Sequence, residues 1–341
     1  MIDFSPYIDL PLLWGFIIAT AIFLYVLLDG FGLGVGILFA FAPHEKARDK
    51  MMNSIAPFWD GNQTWLVLGG GGLFVAFPLA YSILLSAFYM PIFIMLFGLI
   101  MRGIAFEFRY KSEQKNKRIW DYVFHFGSLG AAFSQGMILG AFIEGVTVDG
   151  RNFAGGPLDW ASGFSTLVGI AVVFGYSLLG STWIIMKTDD QTQDWARRVA
   201  FYALGMVAIF MVLVSIIVPL IDLSVEDFWF SKPNIYYLSI IPLITACLFA
   251  FVWRELYAKK CDYRPFFGSI GIFLMGYIGL ALSLYPWIIP YNYNIWDAAA
   301  ASPSLSLVLI GVVILLPVIL GYTGYCYYVF RGKSSHEKMY D

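Results

Sequence analysis

Nine apolar runs follow one another along this chain, separated only by short polar breaks: 10–41, 62–82, 84–105, 120–143, 161–186, 199–220, 236–257, 264–289 and 304–330. An α-helix of about 20 residues spans the roughly 30 Å hydrocarbon core of a bilayer. In that core each backbone N–H and C=O must be satisfied within the protein, which leaves helices or closed barrels. The ten-residue alternation of a barrel strand is absent. The runs therefore predict an all-α integral membrane protein, a single polytopic domain over 1–341. Composition agrees: 60% of residues are hydrophobic and 13% charged, against about 25% charged in soluble domains. A net charge of −2 without a basic, aromatic-interleaved stripe gives no footprint for nucleic acid.

Orientation follows from the cations. Lys46, Arg48 and Lys50 follow the first run, and Arg102, Arg109, Lys111, Lys115, Lys117 and Arg118 end or follow the third. Lys187, Arg197 and Arg198 lie after the fifth, and Arg254, Lys259, Lys260 and Arg264 around the end of the seventh. Arg331, Lys333 and Lys338 are in the tail, leaving only Arg151 and Lys232 for the opposite face. The positive-inside rule is met by nine transmembrane helices with the N-terminus outside and the C-terminus cytoplasmic. An eight-span path would put basic loops on both faces. The first ten residues carry Asp3 and Asp9 but no Lys or Arg, so the first run reads as a retained helix rather than a cleaved leader.

Carboxylates within such runs are the functional candidates. An Asp at the centre of a membrane helix costs about 2.5–3.5 kcal/mol on insertion scales and needs a partner, water or a proton. Asp29 lies in Asp29-Gly30-Phe31-Gly32-Leu33-Gly34-Val35-Gly36, about 15–20 Å from the cytoplasmic end of its helix at 1.5 Å per residue. Its glycines read either as a packing seam or as a loosened stretch beside a protonatable group. Asp60 lies in Trp59-Asp60-Gly61-Asn62-Gln63-Thr64-Trp65, at the cytoplasmic start of the second run. One reading makes Asp60 an N-cap flanked by interfacial indoles. The other makes it a proton acceptor supported by Trp59, Asn62 and Gln63. Arg102 and Glu107 end the third run on the same face, and Arg102 either snorkels or pairs with Asp29 or Asp60. Asp60, Asp29 and Glu107 thus form a candidate proton line. Gly69-Gly70-Gly71-Gly72 reads as close packing or local unwinding. An unwound break there would suit an ion-coupled secondary transporter using Asp29 and Asp60, which is the alternative function.

Redox centres are not expected on this chain. Of three histidines, His44 is in a loop and His336 in the tail, leaving His125 alone in a run. A haem with two axial imidazoles needs a second one. Cys247, Cys261 and Cys326 form neither a metal-binding spacing nor a disulfide framework. No catalytic residue and no metal site is assigned, and His125 reads as a hydrogen-bonded packing residue.

At these residues the chain resembles subunit II of cytochrome bd quinol oxidase. The resemblance rests on Asp29-Gly30-Phe31 with Gly34-Val35-Gly36, on Asn53-Ser54-Ile55-Ala56-Pro57-Phe58-Trp59-Asp60-Gly61-Asn62-Gln63, and on Arg102 through Arg109. Trp120-Asp121, Trp296-Asp297, Tyr322-Thr323 and Tyr325-Cys326-Tyr327 extend it from end to end. The resemblance implies two four-helix bundles plus a peripheral helix, in the bacterial cytoplasmic membrane. It implies a haem-bearing subunit I carrying b- and d-type haems as the partner, with small single-span subunits, quinol and lipid as further company. It implies electron transport in a respiratory chain: quinol oxidation coupled to reduction of oxygen to water, with protons drawn from the cytoplasm. Asp60 would be the mouth of that path, beside Trp59, with Glu107 nearby and Arg102 as counter-charge. Some relatives carry a second acid where this chain has Gly32, so Asp29 would act alone or through water. A structural quinone is compatible with the resemblance, but no residue here singles one out.

Overall fold

A computed structural model describes residues 3–113 and 115–334; His336 and Lys338 lie outside the described residues. The first helix, α1 (Leu10–Phe39), starts at Asp9, whose carboxylate accepts from Leu12 N–H at 3.0 Å. Two short helices follow, α2 (Glu45–Ile55) and α3 (Trp59–Asn62), then α4 (Thr64–Ala76), α5 (Pro78–Ala87), α6 (Tyr89–Lys111) and α7 (Lys117–Glu144). A two-stranded hairpin, β1 (Val148–Asp149) and β2 (Asn152–Phe153), leads into α8 (Gly163–Lys187) and α9 (Asp190–Ile221). Then come α10 (Leu223–Phe230), α11 (Asn234–Leu238), α12 (Ile240–Ala258) and α13 (Arg264–Leu284). A second hairpin, β3 (Trp287–Ile289) with β4 (Tyr293–Asn294), precedes α14 (Ser302–Val329).

Among the described residues, eight helical stretches are long and apolar enough to cross a membrane. The expected second crossing, 62–82, is instead two shorter helices, α4 and α5, separated at Phe77 (φ −134°, ψ 66°). Pro78 explains the break. It has no N–H to give, and its ring pushes the preceding residue out of the helical region. The Ala76 carbonyl accepts instead from Ala300 N–H at 2.9 Å. The eighth run also ends earlier than expected, since 287–289 belong to a hairpin strand.

The C-terminal ends of α1 and α6 meet at one charged cluster, so the two helices run parallel. Arg109 of α6 binds Glu45 and Asp49, just beyond α1. Between them α4 runs back along α1, with Gly69 against Ile22 and Gly72 against Ile18. The helix α8 packs on α1, α7, α9 and α13, while α14 packs mainly on α1 and α4 and buries little.

The α1–α8 seam is the tightest contact. A Cβ at Gly34 would stand 1.8 Å from the Tyr176 carbonyl oxygen, and one at Gly180 would stand 2.4 Å from the Gly34 carbonyl carbon. Only hydrogen at both positions lets the backbones approach this closely. Around the seam Phe31 stacks on Trp183 at 4.1 Å. The glycines after Asp29 are therefore a packing seam in an unbroken helix, not a loosened stretch.

Candidate functional site

Asp29 is fully buried and Arg102 is 1% exposed. Arg102 Nη1 lies 2.8 Å from Asp29 Oδ1 and 2.9 Å from Oδ2, with its hydrogen bond to Oδ2. Of the readings open for Arg102, the pairing with Asp29 is the one formed. Gly32, one turn after Asp29, helps to admit the guanidinium, since a Cβ there would stand 3.0 Å from Nη2. Burying two opposite charges costs several kcal/mol each and is recovered only with close geometry and further hydrogen bonds. Here Asp29 Oδ1 and Arg102 Nε and Nη2 have no hydrogen-bond partner among the described residues.

Three further polar residues, unmarked in the sequence analysis, adjoin the pair. Tyr25 precedes Asp29 by one helical turn and interacts with its carboxylate. Tyr25 Oη accepts from Gln135 Nε2 of α7 at 2.8 Å, and Gln135 Oε1 accepts from Tyr176 Oη of α8 at 2.6 Å. The only sequence signal was the i, i+4 spacing of Tyr25 and Asp29, which places them on one helix face. Gln135 and Tyr176 are distant in sequence and carried none.

The Trp59–Asn62 turn lies level with this pair along α1 and α6. Asn62 Nδ2 donates to the Leu28 carbonyl at 2.6 Å, and Tyr327 Oη donates to Asn62 Oδ1 at 3.2 Å. Trp59 packs on Phe106 at 5.2 Å and faces Gly103, the residue after Arg102. Leu28 is 11 residues before the end of α1, about 16 Å along the axis. Asp60 itself is exposed. It caps neither neighbouring helix: α3 has Phe58 at its N-cap and α4 has Gln63, both without a side-chain cap. The N-cap reading is thereby corrected, because Asp60 falls inside the α3 turn. Gln63 is half-buried.

Glu107 is exposed one turn beyond Gly103, with Lys111 at 3.9 Å. The three acids are not clustered: Asp29 is inside the helix packing, and Asp60 and Glu107 lie on its surface.

Arg109, also unassigned a role from sequence, organises the basic end. It is 1% exposed and binds Asp121 at 2.6 Å, Asp49 at 2.7 Å and Glu45 at 3.0 Å, with Phe39 beneath it at 5.1 Å. These contacts tie α2, α6 and α7 together. Nearby, Lys187 donates to the Phe330 carbonyl at 2.5 Å, and Lys333 donates to that of Thr188 at 2.8 Å. Each lysine thus caps the other's helix end, where unpaired carbonyls and the helix dipole favour a cation. Lys50 binds Asp189 and holds its carboxyl below the ordinary 3.8. Burial opposes ionisation of Asp262, but Lys333 and Arg197 outweigh it and also hold that carboxyl low.

His125 is buried, with Nδ1 2.8 Å from the Ile37 carbonyl, the packing role expected of it. Its ring is committed within α1–α7 and, as the single imidazole of a membrane segment, does not fit a haem needing two. The Gly69–Gly72 stretch is regular helix; Gly69 and Gly72 pack on α1, so the unwound break considered for a transporter is absent there.

The family model for cytochrome bd terminal oxidase subunit II matches residues 10–330. Cytochrome bd ubiquinol oxidase subunit 2 of Bacillus subtilis (strain 168) is 30% identical over 336 residues, 96% of this chain and 97% of its own length. Cytochrome bd-I ubiquinol oxidase subunit 2 of Escherichia coli (strain K12) is 25% identical over 373 residues, 99% and 97% of the two lengths. A chain of the bd oxidase structure from Geobacillus thermodenitrificans shares the fold, with a TM-score of 0.70 over 94% of this chain and 99% of that one, at 16% identity.

Proposed function

The chain belongs to the cytochrome bd terminal oxidase subunit II family, and from that premise we propose that it conducts cytoplasmic protons toward an oxygen-reducing centre held by a haem-bearing subunit I. It is a membrane subunit of a quinol:oxygen oxidoreductase complex. In this reading subunit I carries the b- and d-type haems and oxidises quinol, and the present chain stabilises it. The chain crosses the bacterial inner membrane nine times, α4 and α5 together making one crossing. The charged end around Arg109 faces the cytoplasm, in keeping with the distribution of Lys and Arg.

The observation that carries the proposal is an exposed carboxylate, Asp60, at the depth of the buried Asp29–Arg102 pair. An ionised carboxylate about 16 Å inside the helix end cannot face lipid tails cheaply. It must meet polar groups of a partner, or water, and in this reading it takes up protons from water at the subunit boundary. Glu107 lies nearer the cytoplasm on α6 and feeds this position. Asp29 lies behind it, with Arg102 as counter-charge, and Trp59, Asn62 and Gln63 hold the turn in place.

Asp60→Asn in the intact complex tests the role. Turnover with quinol should fall while the haem optical spectrum stays intact, and Asp60→Glu should recover part of the rate. Wild-type turnover of Asp60→Asn with all haems retained would overturn it. Loss of haem instead would make Asp60 structural.

A further inference from the structure

The polar chain behind Asp29 has a direction, and that direction depends on one amide. Tyr176 is 1% exposed and gives its O–H to Gln135 Oε1. Gln135 must then present Nε2 to Tyr25, whose oxygen accepts it. Tyr25 keeps its own proton to give. Within its reach, one turn along α1, stands the Asp29 carboxylate, whose Oδ1 lacks any other hydrogen-bond donor.

The opposite amide orientation would aim Nε2 at Tyr176 and Oε1 at Tyr25. Tyr25 would then spend its proton on the amide, leaving Asp29 Oδ1 with the charge contact to Arg102 Nη1 at 2.8 Å but no hydrogen bond. A buried acceptor left unsatisfied is costly, more so when charged. Three helices therefore cooperate to leave one phenol O–H free for the neighbouring carboxylate: α8 sets the amide of α7, and the amide leaves the Tyr25 proton of α1 unspent.

We propose that Gln135 is a positioning residue for Asp29, acting through Tyr25 to fix the carboxylate against Arg102. Its link to turnover rests on the proton-conducting role given to Asp29 above. The positioning itself does not.

Two readouts in the intact complex separate these claims. The first is infrared spectroscopy of the Asp29 carboxylate stretch, identified by its loss in Asp29→Asn. This band should move in Gln135→Leu and in Tyr25→Phe, and stay in place in Tyr202→Phe, which alters an exposed tyrosine of α9. The second is a double-mutant cycle on turnover. Gln135→Leu should slow the wild type by about tenfold or more, the scale of one lost hydrogen bond to a charged group. It should cause no further loss in an Asp29→Asn background.

An unmoved band in Gln135→Leu overturns the positioning role, as do losses that multiply in the double variant. A moved band combined with wild-type turnover of Asp29→Asn leaves the positioning intact and removes Asp29 from the proton path. Should Gln135→Leu fail to assemble, Tyr25→Phe breaks the next link with the loss of one oxygen and carries the same test.

Discussion

Replacing Arg102 with Met isolates the energetics of the buried pair. Met fills a similar volume with an apolar, flexible chain, so packing is largely kept while the cation is lost. Asp29, 0% exposed, would then hold a charge that no other cation offsets in the short ion-pair range. Breaking a buried pair in this way costs about 3–5 kcal/mol, because the remaining charge stays desolvated. Removing both charges, as in Asp29→Asn with Arg102→Met, should restore most of that loss, since apolar replacement of a whole pair is often neutral or stabilising. At about 2–4 °C per kcal/mol for a chain of this size, the single variant should melt about 10 °C below the wild type. The double variant should melt within a few degrees of it. Thermal melting of the detergent-solubilised complex at fixed scan rate measures both. An Arg102→Met melt equal to the wild type, or a double variant no better than the single, would refute the reasoning. The double variant should also be slow in turnover if Asp29 carries protons.

Three further outcomes follow from the packing and the charges. Gly34→Ala places a Cβ 1.8 Å from the Tyr176 carbonyl oxygen, so α1 and α8 must separate; membrane-inserted yield should drop sharply. Gly205→Ala, with nothing within 4 Å of its Cβ, should gain slightly in helix stability by the same yield assay. On acidification, Asp189 and Asp262 should release the tail and the α8–α9 turn. Both carboxyls sit below 3.8 when folded, so their stabilisation is complete above the unfolded value and is lost as pH falls through the lower folded one. The protection factor at 331–334, hydrogen exchange corrected for its intrinsic dependence on pH, should be unchanged between pH 7 and 5 and fall only below about 4. Protection lost near pH 6 would point to other groups. The gain is modest, since Asp189 is half exposed and surface pairs contribute little.

The proton-path candidates were visible because acids are rare in apolar runs, where each must be explained. Their arrangement was not visible. The Trp59–Trp65 string marks the start of a helix because hydropathy rises just after it, but the bond from Asn62 to the Leu28 carbonyl, inside α1, appears only in the tertiary structure. Pro78 lay in plain view, but membrane helices tolerate proline in many positions, so the break at Phe77 required the observed torsions. Gln135, Tyr176 and Arg109 act only through partners brought together by packing, and a lone polar residue in a run carries no sign of its partner.

The sequence alone determined the class: apolar runs of bilayer length, a one-sided distribution of cations, an acid inside the first run with another just before the second, and too few histidines for a haem. These are properties of residue type and spacing along one dimension, and transfer free energies read them directly. Only the tertiary structure decided that Asp29 pairs with Arg102, that Asp60 is exposed at the same depth, and that an amide on α7 faces the carboxylate through Tyr25. The physical reason is the glycine seam. It lets α1 and α8 approach to backbone contact, and that closeness sets which side chains meet inside the protein and which are left on its surface.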